Sequence, residues 1–299
     1  MIGELAALGT AILWTAAAVL YKQALSNTKP ISANIVRCTC TSAALVAFLA
    51  AVGKIRIMID VPLDAAILAG VSGIIGLGFG DTLYMTSLKL VGVARAVPLT
   101  CTYPLFSILL AISLQKEAVT HYVVPGAIAI VLGTRLLSRE EERDLKELQK
   151  RDLVKGVAAA LATAVVWAVS IALINMAATL PETSSLDHAL AVNTLRTAAA
   201  AIFLLASAPI TDRNFHFLKM QRKTLYALVS GGLVALALGW FLLVISFLYI
   251  PESKAVPISS TSPLFAAIAG MTFLREPITR KLIAGSMLIV VGIFLIFMV

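Results

Sequence analysis

Two arginines, one aspartate and a set of aromatic residues are the side chains of this sequence best suited to hold a small charged molecule. Arg37 and Arg196 each fall roughly two turns inside a long apolar stretch. A guanidinium placed there costs about 3 kcal/mol on insertion scales and is normally paired or hydrated in a cavity. Together the two would offer a cationic lining to a carboxylate or phosphate; alternatively each pairs internally, with Asp81 as an available partner. Asp81 follows Gly73, Gly76, Gly78 and Gly80, and would accept an ammonium, titrate as a proton-coupling group, or hold Arg37. Trp14, Trp167, Trp240, Tyr84 and Tyr103 lie in the same apolar stretches and read as substrate-packing surfaces, with interfacial belts as the competing explanation.

Two proline pairs form a second group. Pro98 and Pro104 flank Thr100 and Thr102, and Pro257 and Pro263 flank Ser259, Ser260 and Thr261. Proline removes a backbone donor and frees carbonyls, which at membrane depth must meet hydroxyls, water or solute. These segments therefore read as hinges or cavity linings, Thr102 and Ser260 among them, or else as kinked packing helices. Arg95 and Lys254 precede the two segments as path-facing cations or topological anchors, and Glu117 and Glu276 follow them at positions suited to capping the next helix.

Enzyme chemistry has no visible apparatus. There is no HExxH, GxSxG or glycine-rich phosphate loop, and His121, His188 and His216 stand apart at expected helix ends. Cys38 and Cys40 point to different faces of a helix and, with Cys101, lie in apolar segments. No cofactor, no metal site and no catalytic residue is expected.

The elements that must position these residues follow from composition. Of 299 residues, 60% are hydrophobic and 13% charged, with a mean hydropathy of +0.95, which excludes a water-soluble fold. A spanning helix needs about 20 apolar residues, and the apolar runs between turn and charge signals fall at 3–24, 31–52, 65–87, 94–114 and 121–138, then 155–178, 187–208, 224–248, 253–274 and 279–298. Ten transmembrane helices are expected. Six basic and six acidic residues crowd between Arg139 and Lys155, with i,i+4 pairs such as Glu142 with Lys146, the mark of a solvated helical linker. The net charge of +8 reads as cytoplasmic loops meeting anionic lipid rather than nucleic acid.

An internal repeat organises the chain. Pro257 minus Pro98, Pro263 minus Pro104, Glu276 minus Glu117, Gly292 minus Gly133 and Arg196 minus Arg37 all equal 159, and the same offset sets Trp240 against Asp81. Trp167 minus Trp14 equals 153, so one loop differs by six residues. An odd number of spans per copy requires the second copy to enter the membrane in the opposite sense. The expected architecture is therefore an all-α membrane protein of two inverted five-helix repeats, 1–138 and 154–299, joined by the charged linker 139–153, with a site near the midplane.

The segments AVPLTCTYPLFSILLAISLQKEAVTHYVVPGAIAIVLG and AVPISSTSPLFAAIAGMTFLREPITRKLIAGSMLIVVG resemble the EamA-type members of the drug/metabolite transporter superfamily. Ala118 in place of the second copy's Pro277, and Pro125 in the fifth helix, depart from that pattern. The resemblance implies ten helices, a central cavity lined by the first, third, fourth, sixth, eighth and ninth, and export or exchange of small solutes. It also implies cytoplasmic termini. Charge disagrees: loops after odd-numbered helices, taken with Arg95, carry 18 of the 24 Lys and Arg, which places the termini outside.

The expected function is an alternating-access secondary transporter without ATP hydrolysis, exporting or exchanging a small organic metabolite, an amino acid or related anion, with proton or counter-solute coupling. Its setting is a multi-pass place in a prokaryotic plasma membrane, as monomer or homodimer. An intramembrane lipid-acting enzyme, a passive channel and a non-transporting membrane scaffold are the competing classes.

Overall fold

The computed structural model describes residues 1–25, 28–91, 96, 99–116, 121–137, 150–262, 264–265 and 280–297. Among them the apolar runs are helical. In chain order these are α1 (Ile2–Leu25), α2 (Pro30–Ala51), α3 (Leu63–Val91), α4 (Tyr103–Ser113), α5 (Val123–Leu137), α6 (Lys150–Ala178), α7 (Leu186–Thr211), α8 (Arg222–Phe247), α9 (Glu252–Ser259) and α10 (Arg280–Phe297). Six of them, α1, α2, α3, α6, α7 and α8, are long and apolar enough to cross a membrane. The protein is an all-α, multi-pass membrane protein.

Local chemistry sets the boundaries. Pro30 opens α2 where its missing N–H is not needed, and Gly53, at φ +71°, turns the chain away after it. The Ser185 hydroxyl accepts the His188 N–H at the start of α7. α3 extends beyond its expected 65–87 at both ends, and the glycine series Gly73–Gly80 stays within it. α6 starts at Lys150, five residues before the expected 155, so Lys150 to Asp152 form its first turn; 138–149, most of the expected linker, lies outside the described residues.

The helices pack in pairs that link the two halves. α2 and α7 are antiparallel: Ser32 Oγ donates to Asp212 Oδ2 over 2.9 Å at one end, and Lys54 Nζ meets the Asp187 carboxylate at 2.6 and 2.7 Å at the other. α5 and α10 are antiparallel too. A Cβ on Gly126 would lie 2.8 Å from the Gly292 carbonyl oxygen, and one on Gly133 2.7 Å from that of Gly285, so only glycine permits this backbone approach. Large apolar side chains such as Leu109, Ile202, Met287 and Phe294 are more than half exposed, as a surface solvated by lipid requires.

Candidate functional site

α3 and α8 each contain a stretch of wider, π-helical turns, Gly73–Gly80 and Leu233–Gly239. Such turns shift the backbone ladder and need outside partners for displaced carbonyls. Asn34 on α2 supplies them in the first half, its Nδ2 donating to the Leu77 oxygen at 2.7 Å and the Gly78 oxygen at 3.3 Å. Asn193 on α7 repeats this with Leu236 at 3.0 Å and Ala237 at 3.4 Å. All three correspondences keep the 159-residue offset.

One turn beyond each asparagine comes an arginine, and here the halves diverge. Arg37 Nη2 donates to Asn34 Oδ1 at 2.7 Å and to Asp81 Oδ2, and its guanidinium lies 5.0 Å from the Tyr21 ring centroid. Arg196, fully buried, donates from Nε to Ser72 Oγ at 2.9 Å and from Nη2 to Ser170 Oγ at 3.0 Å. Its guanidinium carbon stands 3.5 Å from the centroid of the Trp240 ring. Among the described residues Arg196 has no carboxylate within salt-bridge distance, and its Nη1 has no hydrogen-bond partner. The two arginines thus do not form one uniform cationic lining: the first is neutralised by Asp81, the alternative weighed from the sequence, and the second rests on hydroxyls and an aromatic face.

The aromatic residues gather around these pairs. Trp167 Nε1 donates to Asp81 Oδ1 at 2.8 Å, and its ring packs against Tyr84 at 5.0 Å and edge-on to Tyr103 at 5.9 Å. Trp14 packs against Trp240 at 5.3 Å. Each first-helix tryptophan lies against the opposite half: a Cβ on Gly80 would sit 2.8 Å from the Trp167 ring, and one on Gly239 2.9 Å from that of Trp14. Thr10 donates to the Gly239 oxygen at 3.1 Å and Thr163 to that of Gly80 at 3.5 Å.

Helical structure in the two proline-bearing segments gives way to turns at corresponding places, Cys101–Thr102 and Ser260–Thr261. Hydroxyls take up the nearby carbonyls: Thr102 Oγ1 donates to Leu99, Ser260 Oγ to Pro257 and Thr261 Oγ1 to Ile258, each over 2.7 Å. Pro104 and Pro257 are buried within α4 and α9. Pro98, Pro263, Arg95, Glu117 and Glu276 lie outside the described residues.

One polar cluster was not singled out from the sequence. Glu252, fully buried at the start of α9, accepts from Ser107 Oγ, from Gln115 Nε2 at 2.6 Å and from Asn175 Nδ2 at 3.1 Å; Asn175 also donates to Gln115. These residues join the end of α4, the end of α6 and the start of α9. Gln115 and Asn175 form the polar floor of a cleft of about 550 Å³ whose walls are apolar, among them Leu114, Met176, Phe247 and Tyr249. A signal existed: the repeat sets Glu252 against Val93, 252 minus 93 being 159, a break in symmetry like that of Asp81 and Trp240.

Known proteins resemble this chain in sequence and in fold. The EamA-like transporter family model matches residues 1–139 and again 154–298. An uncharacterized transporter of Archaeoglobus fulgidus is 26% identical over 296 residues, covering 99% of this chain and 98% of that protein. The uncharacterized transporter YvbV of Bacillus subtilis is 29% identical over 146 residues, 48% of this chain and 45% of that protein. A solved structure titled "Crystal structure of protein" superposes with a TM-score of 0.76 over 98% of this chain and 95% of that one at 20% identity, a likeness of fold. With both halves matched by the family pattern, the chain belongs to the EamA-like transporter family.

Proposed function

We propose that this membrane transporter is an alternating-access secondary carrier, working without ATP hydrolysis, for an amino acid or related small organic anion across a prokaryotic plasma membrane. Its halves, 1–138 and 154–299, act as inverted repeats on either side of the charged linker 139–153. The reading draws on two kinds of contact that recur in both halves: Trp14 on Gly239 and Trp167 on Gly80, which cross from one half to the other, and Asn34 on α3 and Asn193 on α8, which repeat within each half. Two near-equivalent halves joined through such contacts can rock between two arrangements of similar energy.

The observation that carries the substrate class is the Arg196 guanidinium, buried without a carboxylate partner among the described residues while its counterpart Arg37 has one. A substrate carboxylate supplies the missing countercharge as the halves part. Trp240 and Trp14 on one side, and Trp167, Tyr84 and Tyr103 on the other, pack its apolar part. Asp81 offers the counter-site for an ammonium, and the turns at Cys101–Thr102 and Ser260–Thr261 give α4 and α9 their pivots. The Ser107, Gln115, Asn175 and Glu252 cluster closes one end of the path.

Purified protein reconstituted in liposomes and offered a panel of labelled amino acids, organic acids, sugars and amines tests this. Expected is saturable uptake of carboxylate-bearing solutes, reduced at least about tenfold by R196Q. Uptake confined to solutes without a carboxylate, or unaffected by R196Q in folded protein, would remove the anion assignment.

A further inference from the structure

The contacts sort the charged side chains onto two ends of the bundle. At one end Gly3 meets Tyr249 and Ile250, Lys54 pairs with Asp187, and Gln115 and Asn175 bond Glu252. Its described basic residues are Lys54, Arg56, Lys116 and Lys254, outnumbered by the acidic Glu4, Asp60, Asp64, Glu182, Asp187 and Glu252. At the other end Gly156 meets Val91 and Ser32 reaches Asp212. Here stand Lys29, Lys89, Arg135, Arg151, Lys155, Arg213, Lys219, Arg222, Lys223, Arg280 and Lys281, against Asp152 and Asp212 alone among the described acidic residues.

The segment 212–223 between α7 and α8 adds a structural feature to this charge bias. The buried Asp212 carboxylate accepts from Ser32 Oγ at 2.9 Å, from His216 Nδ1 at 2.8 Å and from the Phe217 N–H at 3.1 Å, fixing the segment to α2. Phe215 takes a left-handed backbone conformation, φ +49°, uncommon for a bulky residue. Phe215 and Leu218 are 41% and 72% exposed, and Arg213, Lys219, Arg222 and Lys223 are exposed around them. Apolar side chains fixed outward within a basic ring suit one environment: the headgroup layer of an anionic leaflet, which solvates the rings and attracts the cations together.

We infer that this basic end faces the cytoplasm, with residues 212–223 laid on the anionic headgroups of the inner leaflet, and that the first residues and the Glu252 cleft face outside. This orientation is opposite to the one the family resemblance implies, and it stands independently of what the protein carries.

Single-cysteine variants of the full chain, with Cys38, Cys40 and Cys101 replaced by alanine, test the orientation through the exposed positions Ser184 and Asn214. In intact cells a membrane-impermeant maleimide is expected to label Ser184→Cys and to reach Asn214→Cys only after permeabilisation, which labels both. The reverse pattern, or labelling of both in intact cells, overturns the inference. A polarity-sensitive fluorophore on Leu218→Cys is expected to shift to the blue in vesicles of phosphatidylcholine with phosphatidylglycerol relative to phosphatidylcholine alone, and to lose the shift in K219Q/R222Q/K223Q. Equal emission in the two vesicle types removes the headgroup contact.

Discussion

The guanidinium of Arg196 lies 3.5 Å from the centroid of the Trp240 ring, at the place where the other half sets Arg37 against Asp81. A near-symmetric frame thus holds two chemically different charge sites. A carboxylate pairs with the arginine at one. At the other, an aromatic face and two serine hydroxyls stabilise the cation without cancelling its charge.

Removing Asp81 leaves Arg37 buried without its counter-ion. D81A is expected to lower stability by about 3–5 kcal/mol, read as a fall in the thermal midpoint of detergent-purified protein. The double variant R37M/D81L should recover much of that loss, because it removes both charges together. Equal damage in single and double variants would mean the pair is not an energetic unit.

Arg196 uses separate nitrogens for Ser72 and Ser170 while its guanidinium stands over the Trp240 ring, a task a lysine ammonium cannot reproduce. R196K is therefore expected to behave like R196Q in uptake, with flux down at least about tenfold. W240L, which removes the aromatic face beneath the guanidinium and leaves a cavity as well, should cost at least about 1–2 kcal/mol. Wild-type uptake in R196K would show that charge alone suffices.

Glu252 collects donors from Ser107, Gln115 and Asn175. E252A orphans these groups and should loosen the junction of α4, α6 and α9, at about 1–3 kcal/mol for each buried donor left unmade. A cysteine introduced at the half-buried Leu180, on the cleft wall, is expected to react faster with maleimide in E252A than with Glu252 present. Unchanged reactivity would place the closing contact elsewhere.

Burial opposes the charged form of Asp212, but hydrogen bonds from His216, the Phe217 N–H and Ser32 outweigh it and hold the carboxyl below the usual carboxylate range. A depressed folded-state pKa adds stability that is fully present above the unfolded value, about 3.9, and fades as pH falls through the lower folded value. D212N should therefore be less stable than wild type at neutral pH, with the gap narrowing below about pH 4. Thermal midpoints of the two proteins across that range check it; a gap that widens on acidification contradicts the assignment.

Helices and their order were legible because apolar runs of spanning length are separated by Pro, Gly and charge, and because the 159-residue offset ties Arg37 to Arg196 and Asp81 to Trp240. The pairing of Arg37 with Asp81 was among the sequence alternatives, since a buried guanidinium needs a partner and few acids lie deep in spans. The π-helical turns were not legible: Gly73–Gly80 looks like any glycine-rich helix until Asn34 is seen bonding its carbonyls. Asn34 and Asn193 themselves were passed over because an asparagine three residues before an arginine carries no signature of its own. Glu252 was missed because an acid beside a proline at a span boundary looks solvated, and only its place in the fold buries it. Where the repeat is broken, at Asp81 against Trp240 and Val93 against Glu252, the sequence points to the sites most specific to this chain.

Counterflow tests the carrier reading most directly. Liposomes holding the purified protein and a high internal concentration of unlabelled transported solute are diluted into a trace of the labelled form. Expected is a transient accumulation of label above its external concentration that decays as the internal pool runs down, with saturable exchange. Label that only equilibrates, at a rate linear in concentration, would mean a passive channel, and no movement of any solute in the panel would mean that these mirrored contacts do not enclose a transport path.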